Sequence, residues 1–105
     1  MQTKPENDVE LRTKVNRETA RLPWTELLKH FAQGNLVWVA NSLDLVDVAV
    51  RIAHDDKANI SQWMNCGQLA RVNDEQAAAW LASNAELWAS VVSPFILVQE
   101  QKALN

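Results

Sequence analysis

The sequence predicts an α+β domain, and two stretches carry most of that prediction. In NLVWVANSLDLVDVAVRIAHDD, residues 35–56, a short β-branched and aromatic run passes abruptly into a helical pattern. In LWASVVSPFILVQ, residues 87–99, the Val, Ile, Trp and Phe content reads as one long strand. A chain of 105 residues, 48% hydrophobic and 22% charged, is a single globular domain and not a disordered segment. The expected architecture is two N-terminal helices, a small mixed or antiparallel sheet of about three strands, and helices packed mainly on one face. The domain is expected over residues 8–100, with residues 1–7 a flexible N-terminus and residues 101–105 a loose tail.

The elements follow from local signals. From Asp8 to about Leu22 the pattern is helical: Asp8 suits an N-cap, Leu11, Val15 and Leu22 recur at helical intervals, and no glycine intervenes. Its apolar stripe is thin, so this helix belongs on the surface or against a partner. Pro23 ends it and opens a second helix, in which Trp24, Leu27, Leu28 and Phe31 share a face before Gly34 stops it. Leu36 to Ala40 reads as a strand buried on both sides. Asn41 and Ser42 turn the chain, and Ser42 or Asp44 caps the next helix.

In that helix Leu43, Leu45, Val46, Val48, Ala49, Val50, Ile52 and Ala53 leave only a narrow polar edge, formed by Asp44, Asp47, Arg51 and His54 or Asp55. A helix apolar nearly all round is a central one. Asp55 or Asp56 caps a further helix to about Cys66, with Ile60, Trp63 and Met64 inward and Gly67 at its end. Gln68 to Val72 forms a short strand. Asn73 and Gln76 make a capping box for a helix to about Ala82, with Trp80 and Leu81 inward. In the last strand Pro94 removes a ladder donor, so the strand bends, bulges or lies at an edge there. Ser93-Pro94 supplies no glycine-type turn, so a tight hairpin is not expected.

Composition excludes several classes. No apolar run approaches the roughly 18 residues of a membrane span, and the N-terminus lacks the basic-then-apolar profile of a signal peptide. A single cysteine, Cys66, makes neither an internal disulfide nor a thiolate metal cage, which points to a reducing, cytoplasmic setting. The net charge of −3 resides in the body, where residues 31–105 set four bases against eight acids. Only Lys14, Arg17 and Arg21 approach a basic stripe, so nucleic acid is an unfavoured partner. The segment 57–66 followed by GQLARV has a winged-helix outline, but acids at 55, 56, 74 and 75 flank its Lys57 and Arg71.

Three blocks carry a family resemblance. LRTKVNRETARLPWTELLKHFAQGNLVWVANSLDLVDVAVRIAHDD, GQLARVNDEQAAAW and the closing VVSPFILVQE resemble a small bacterial family, domain of unknown function 2288. The likeness spans roughly residues 10–100. It implies a single-domain bacterial protein and brings no catalytic or binding residue onto this chain.

The chemistry is read from the residues themselves. Asp44 and Asp47 stand three apart on one side of a helix, a spacing that would let them share a divalent cation or a proton. The structural reading is stronger: Asp44 sits in a first turn, where the helix dipole favours an acid, and Asp47 can pair with Arg51. Asp55 and Asp56 lie about 15–18 Å further along, too far to join the same ion, and suit capping. His54, beside them, is the first acid–base candidate if there is an enzyme here. His30 and His54 both occupy last turns and form no HxxxH pair. Cys66, at a helix C-terminus, is in the wrong field for a reactive thiolate. With two glycines in the chain and no phosphate loop or GxSxG, no cofactor is expected.

Five tryptophans and no tyrosine are more indole than a chain this size readily buries. Trp24, Trp88, Phe95, Ile96 and Val98 are therefore the interface candidates, on the expectation that the last strand is an edge. The function expected is a non-enzymatic interaction or regulatory domain, homodimeric. The alternative is a metal-dependent or acid–base enzyme using Asp44, Asp47 and His54. Nucleic-acid binding through Lys14, Arg17 and Arg21 ranks third.

Overall fold

The structure, a computed structural model, describes residues 4–100. Its elements are α1 (Lys4–Glu18), β1 (Ala20–Pro23), α2 (Trp24–Ala32), β2 (Leu36–Val39), α3 (Leu45–Ala53), α4 (Lys57–Asn65), β3 (Leu69–Arg71), α5 (Asp74–Ser83), β4 (Glu86–Val92) and β5 (Phe95–Gln99). The strands form one sheet in the order β1-β4-β5-β2-β3. β2 and β5 run parallel, and the other pairs are antiparallel. The fold is α+β as expected, but the described residues form a five-stranded sheet, against two N-terminal helices and about three strands in the expected outline, which undercounts the elements.

The layers also differ from expectation. α1, α3 and α4 pack on one face of the sheet, while α2 and α5 pack on the other. Strand alternation makes this possible, because successive side chains point to opposite faces. In β2, Leu36 and Trp38 meet the α2–α5 layer, while Val37 and Val39 meet the α3 layer. In β5, Val98 faces α2 and Leu97 faces α3. A strand apolar on both sides needs cover on both sides.

Two segments change type. α1 begins at Lys4, so Asp8 lies inside the helix and not at its cap, and residues 4–7 belong to the helix. Residues 20–23, expected as the helix end, pair instead with β4: Ala20 opposite Ala89, Leu22 opposite Leu87. Pro23 closes this edge strand, where a missing donor costs nothing, and precedes α2 as its extended N-cap. The long C-terminal strand is in fact a hairpin. Val92 pairs with Phe95, and the cis Ser93–Pro94 bond makes the turn between them. β5 therefore lies inside the sheet, flanked by β4 and β2, and offers no edge. The real edges, β1 and β3, are four and three residues long.

Helix ends follow one device. After α2, α3, α4 and α5 the residues Gly34, Asp55, Gly67 and Asn84 all have positive φ. In each case the following N–H reaches back five residues: Asn35 to His30, Asp56 to Arg51, Gln68 to Trp63 and Ala85 to Trp80. Aspartate and asparagine adopt this left-handed conformation more readily than other side chains, which is why two of the four stops are not glycine. Asp55 thus ends α3, and Asp56 alone caps α4 by accepting from the Asn59 backbone N–H. Asn73 and Gln76 form the capping box of α5.

α3 is central, with Leu45, Val46, Val48, Ala49 and Val50 buried. Its entry loop is pinned from an unexpected direction. Gln99, fully buried at the end of β5, donates from Nε2 to the carbonyls of Ala40 at 2.8 Å and Leu43 at 2.7 Å.

Candidate functional site

Three surfaces compete as a site. The first is the acidic edge of α3. Asp44 is the N-cap, accepting from the Val46 N–H at 3.0 Å. Asp47 accepts from Arg12 of α1 at 2.9 Å and lies 3.8 Å from Arg51. Arg51 continues to Asp56 at 3.7 Å, so four side chains form a strap from α1 over α3 to α4. Hydrogen bonds from the Asn59 side chain and backbone, helped by Arg51 and His54, hold the Asp56 carboxyl below its ordinary value of 3.8. His54 is the C-cap of α3. Among the described residues no three His, Cys, Asp or Glu side chains cluster closely enough to hold a metal ion. The sequence anticipates the Asp47–Arg51 pair but not Arg12, whose approach depends on how α1 packs.

The second surface is a half-open groove of about 440 Å³ between α3, α4 and the β2–β3 side of the sheet. Val37 and Leu69 come from the sheet, Ile52 from α3, Ile60 and Met64 from α4, and Val92 and Phe95 from the hairpin. Ile60 and Met64 share a helix face at i and i+4, and Leu69 and Arg71 share a strand face at i and i+2. Met64, expected inward, is 57% exposed at the groove's lip. The polar lining is Asp55, Arg71 and Ser93. Neither Asp44, Asp47 nor His54 reaches this groove. Arg71 Nη1 donates to the carbonyl of Gly34, whose φ of +79° disfavours any other residue there.

The third surface is on the opposite face. Val91 is 60% exposed there, beside an apolar depression of about 330 Å³ lined by Ala20, Leu22, Ala89 and Ile96. Glu18, Glu26, Lys29 and His30 border it.

The interface candidates divide between core and surface. Trp24 and Val98 are core residues, 1% and 0% exposed, and present nothing to a partner. Trp24 stacks obliquely on Phe31 and Trp80, with centroids at 5.7 and 5.3 Å. Val98 is buried because it faces the α2–α5 layer. Trp88 is half-buried with the Arg21 guanidinium 5.9 Å from its ring centroid. Phe95 lines the groove and Ile96 the opposite depression. Trp80 is buried and donates from Nε1 to Glu100 at 3.2 Å, whereas Leu81, also expected inward, is exposed. Of the basic trio Lys14, Arg17 and Arg21, the last faces Glu86 at 3.5 Å. Cys66 is an exposed free thiol. No described helix is long and apolar enough to cross a membrane.

Sequence reasoning named Arg71 only as a flanked cation of the winged-helix outline, and it missed Val91. Arg71 reads as a strand-end cation, and only the fold reveals the carbonyl it meets. Val91 reads as one more strand apolar residue, and only the layer boundary leaves it uncovered.

Fold and surfaces together define a small α+β protein, a mixed sheet between two helical layers with apolar concavities on each side. The chain belongs to the family described as protein of unknown function DUF2288, which it matches over residues 10–100. It is similar to PA1075 from Pseudomonas aeruginosa, whose NMR solution structure superimposes with a TM-score of 0.77. The two are 40% identical over 87% of this chain and 84% of the other. No curated protein matches the sequence.

Proposed function

We propose that this protein is a non-enzymatic interaction or regulatory domain that works as a homodimer through the open sheet face around Val91. The observation that carries this reading is Val91 itself, 60% exposed on β4 just past Ala89, where the pairing with β1 ends. A large aliphatic residue left uncovered beside a depression floored by Ala20, Leu22, Ala89 and Ile96 is what a contact surface requires. The rim supports a second copy as the occupant. Glu18 and Glu26 stand with Lys29 and His30 around one depression, so the rim carries both signs of charge that a self-complementary contact needs. Asp44 caps a helix and Asp47 is held beside two guanidinium groups, arrangements that suit structure better than proton transfer. We place the protein in the cytoplasm, a reading supported by its single, exposed thiol.

Multi-angle light scattering tests this directly. The wild type should show the dimer mass, and Val91→Glu, which places a charge at an exposed position, should show the monomer mass with an unchanged circular dichroism spectrum. A wild type that stays monomeric up to millimolar concentration would sink the homodimer.

A further inference from the structure

We propose that the groove between α3, α4 and the β2–β3 side of the sheet binds a small amphipathic carboxylate, its tail against Ile60, Met64 and Leu69 and its head on Arg71. This goes beyond the dimer reading and uses the opposite face of the sheet.

Size is the first argument. A volume of about 440 Å³ falls inside the roughly 300–1,000 Å³ typical of small-molecule sites. The lining is the second. Aliphatic side chains dominate it, Phe95 adds an aromatic ring to the lining, and the exposed Met64 is a flexible residue that adapts to an apolar guest. Three polar side chains remain to orient a head group.

Those three are unequal. Asp55 is 77% exposed, 3.9 Å from the Lys57 ammonium, so water screens its charge from the apolar floor of the groove. Ser93 is neutral. Arg71 is the uncompensated charge. Arg12, Arg21 and Arg51 each meet a carboxylate, whereas Arg71, like Arg17 away from the groove, has no acidic partner among the described residues. Its hydrogen bond to the Gly34 carbonyl tethers the exposed guanidinium at Nη1 and occupies a single N–H of five. A fork held that way is pre-oriented for a carboxylate. One cation suits one negative charge. A phosphate dianion would call for a second cation, and Arg71 is the one cation among the groove-lining residues.

The test uses the full chain, ¹⁵N-labelled, titrated with decanoate below its micellar concentration and with decanol as the neutral counterpart. Decanoate should shift the amides of Ile60, Met64, Leu69 and Arg71, and should bind about ten-fold or more tightly than decanol, as a charge-assisted hydrogen bond implies. Arg71→Gln should bring decanoate down to decanol's affinity. Equal binding of the two probes by the wild type, unchanged decanoate affinity in the variant, or shifts located elsewhere would each overturn the assignment. So would tighter binding of a short apolar peptide with a free C-terminus, which would make the ligand a protein tail. The decanoate–decanol comparison on the wild type stands even if the variant does not fold.

Discussion

At the scale of single residues, Gln99 contributes the least foreseeable contact. A fully buried glutamine is costly unless its amide is bonded, and Nε2 reaches two loop carbonyls while Oε1 finds no donor among the described residues. Gln99→Ala leaves the Ala40 and Leu43 carbonyls without that donor and opens a void, and should cost about 2–5 kcal/mol in urea unfolding. Gln99→Leu keeps most of the volume, so it isolates the polar part. A leucine variant as stable as wild type would mean that the two bonds contribute nothing net. Periodicity hides this residue, since Gln99 reads as the polar end of a strand. Its partners lie 56 and 59 positions away in the chain.

At the scale of elements, the docking of α1 invites a comparison between an ion pair and an apolar contact. α1 meets α3 through the buried Val15, the half-buried Leu11 and the Arg12–Asp47 bridge. The bridge is 40% and 35% exposed at its two ends, so water screens it and its worth is about 0–1 kcal/mol. Val15→Ala removes two buried methyl-sized groups and should cost roughly 1–3 kcal/mol. Urea unfolding of both variants checks the order: if Arg12→Ala costs more than Val15→Ala, the strap governs α1 and the apolar stripe does not. The thin stripe seen in the sequence is real, and its partner is α3 of the same chain. Caps and stops were equally legible. Asp44, Asp56, the Asn73–Gln76 box, Gly34 and Gly67 all act within a few residues of the chain. What escaped at this scale were β1, too short to show a period, and the hairpin, whose turn uses a cis proline in place of glycine.

At the scale of the molecule, two helical layers share one sheet, so neither should unfold alone. Leu97 faces the α3 layer and Val98, its neighbour, faces the α2 layer. Leu97→Ala should cost about 2–5 kcal/mol and Val98→Ala roughly 1–3 kcal/mol. Both variants should still unfold in one transition, followed identically by tryptophan fluorescence and far-ultraviolet circular dichroism. Two separated transitions in either variant would show that the layers are independent.

The sequence by itself determined the α+β class, four of the five helices to within a few residues, the central position of α3 and the structural duties of Asp44, Asp47 and Asp56. Those properties are set by apolar period and by capping bonds, which act across three or four residues. Only the tertiary structure decided which strands neighbour one another, that β5 is interior, that helices cover both faces, and where cover runs out. The groove beside Arg71 and the open face at Val91 exist because segments far apart in the chain meet there, or fail to meet. Long-range packing, which leaves no local period, places both surfaces.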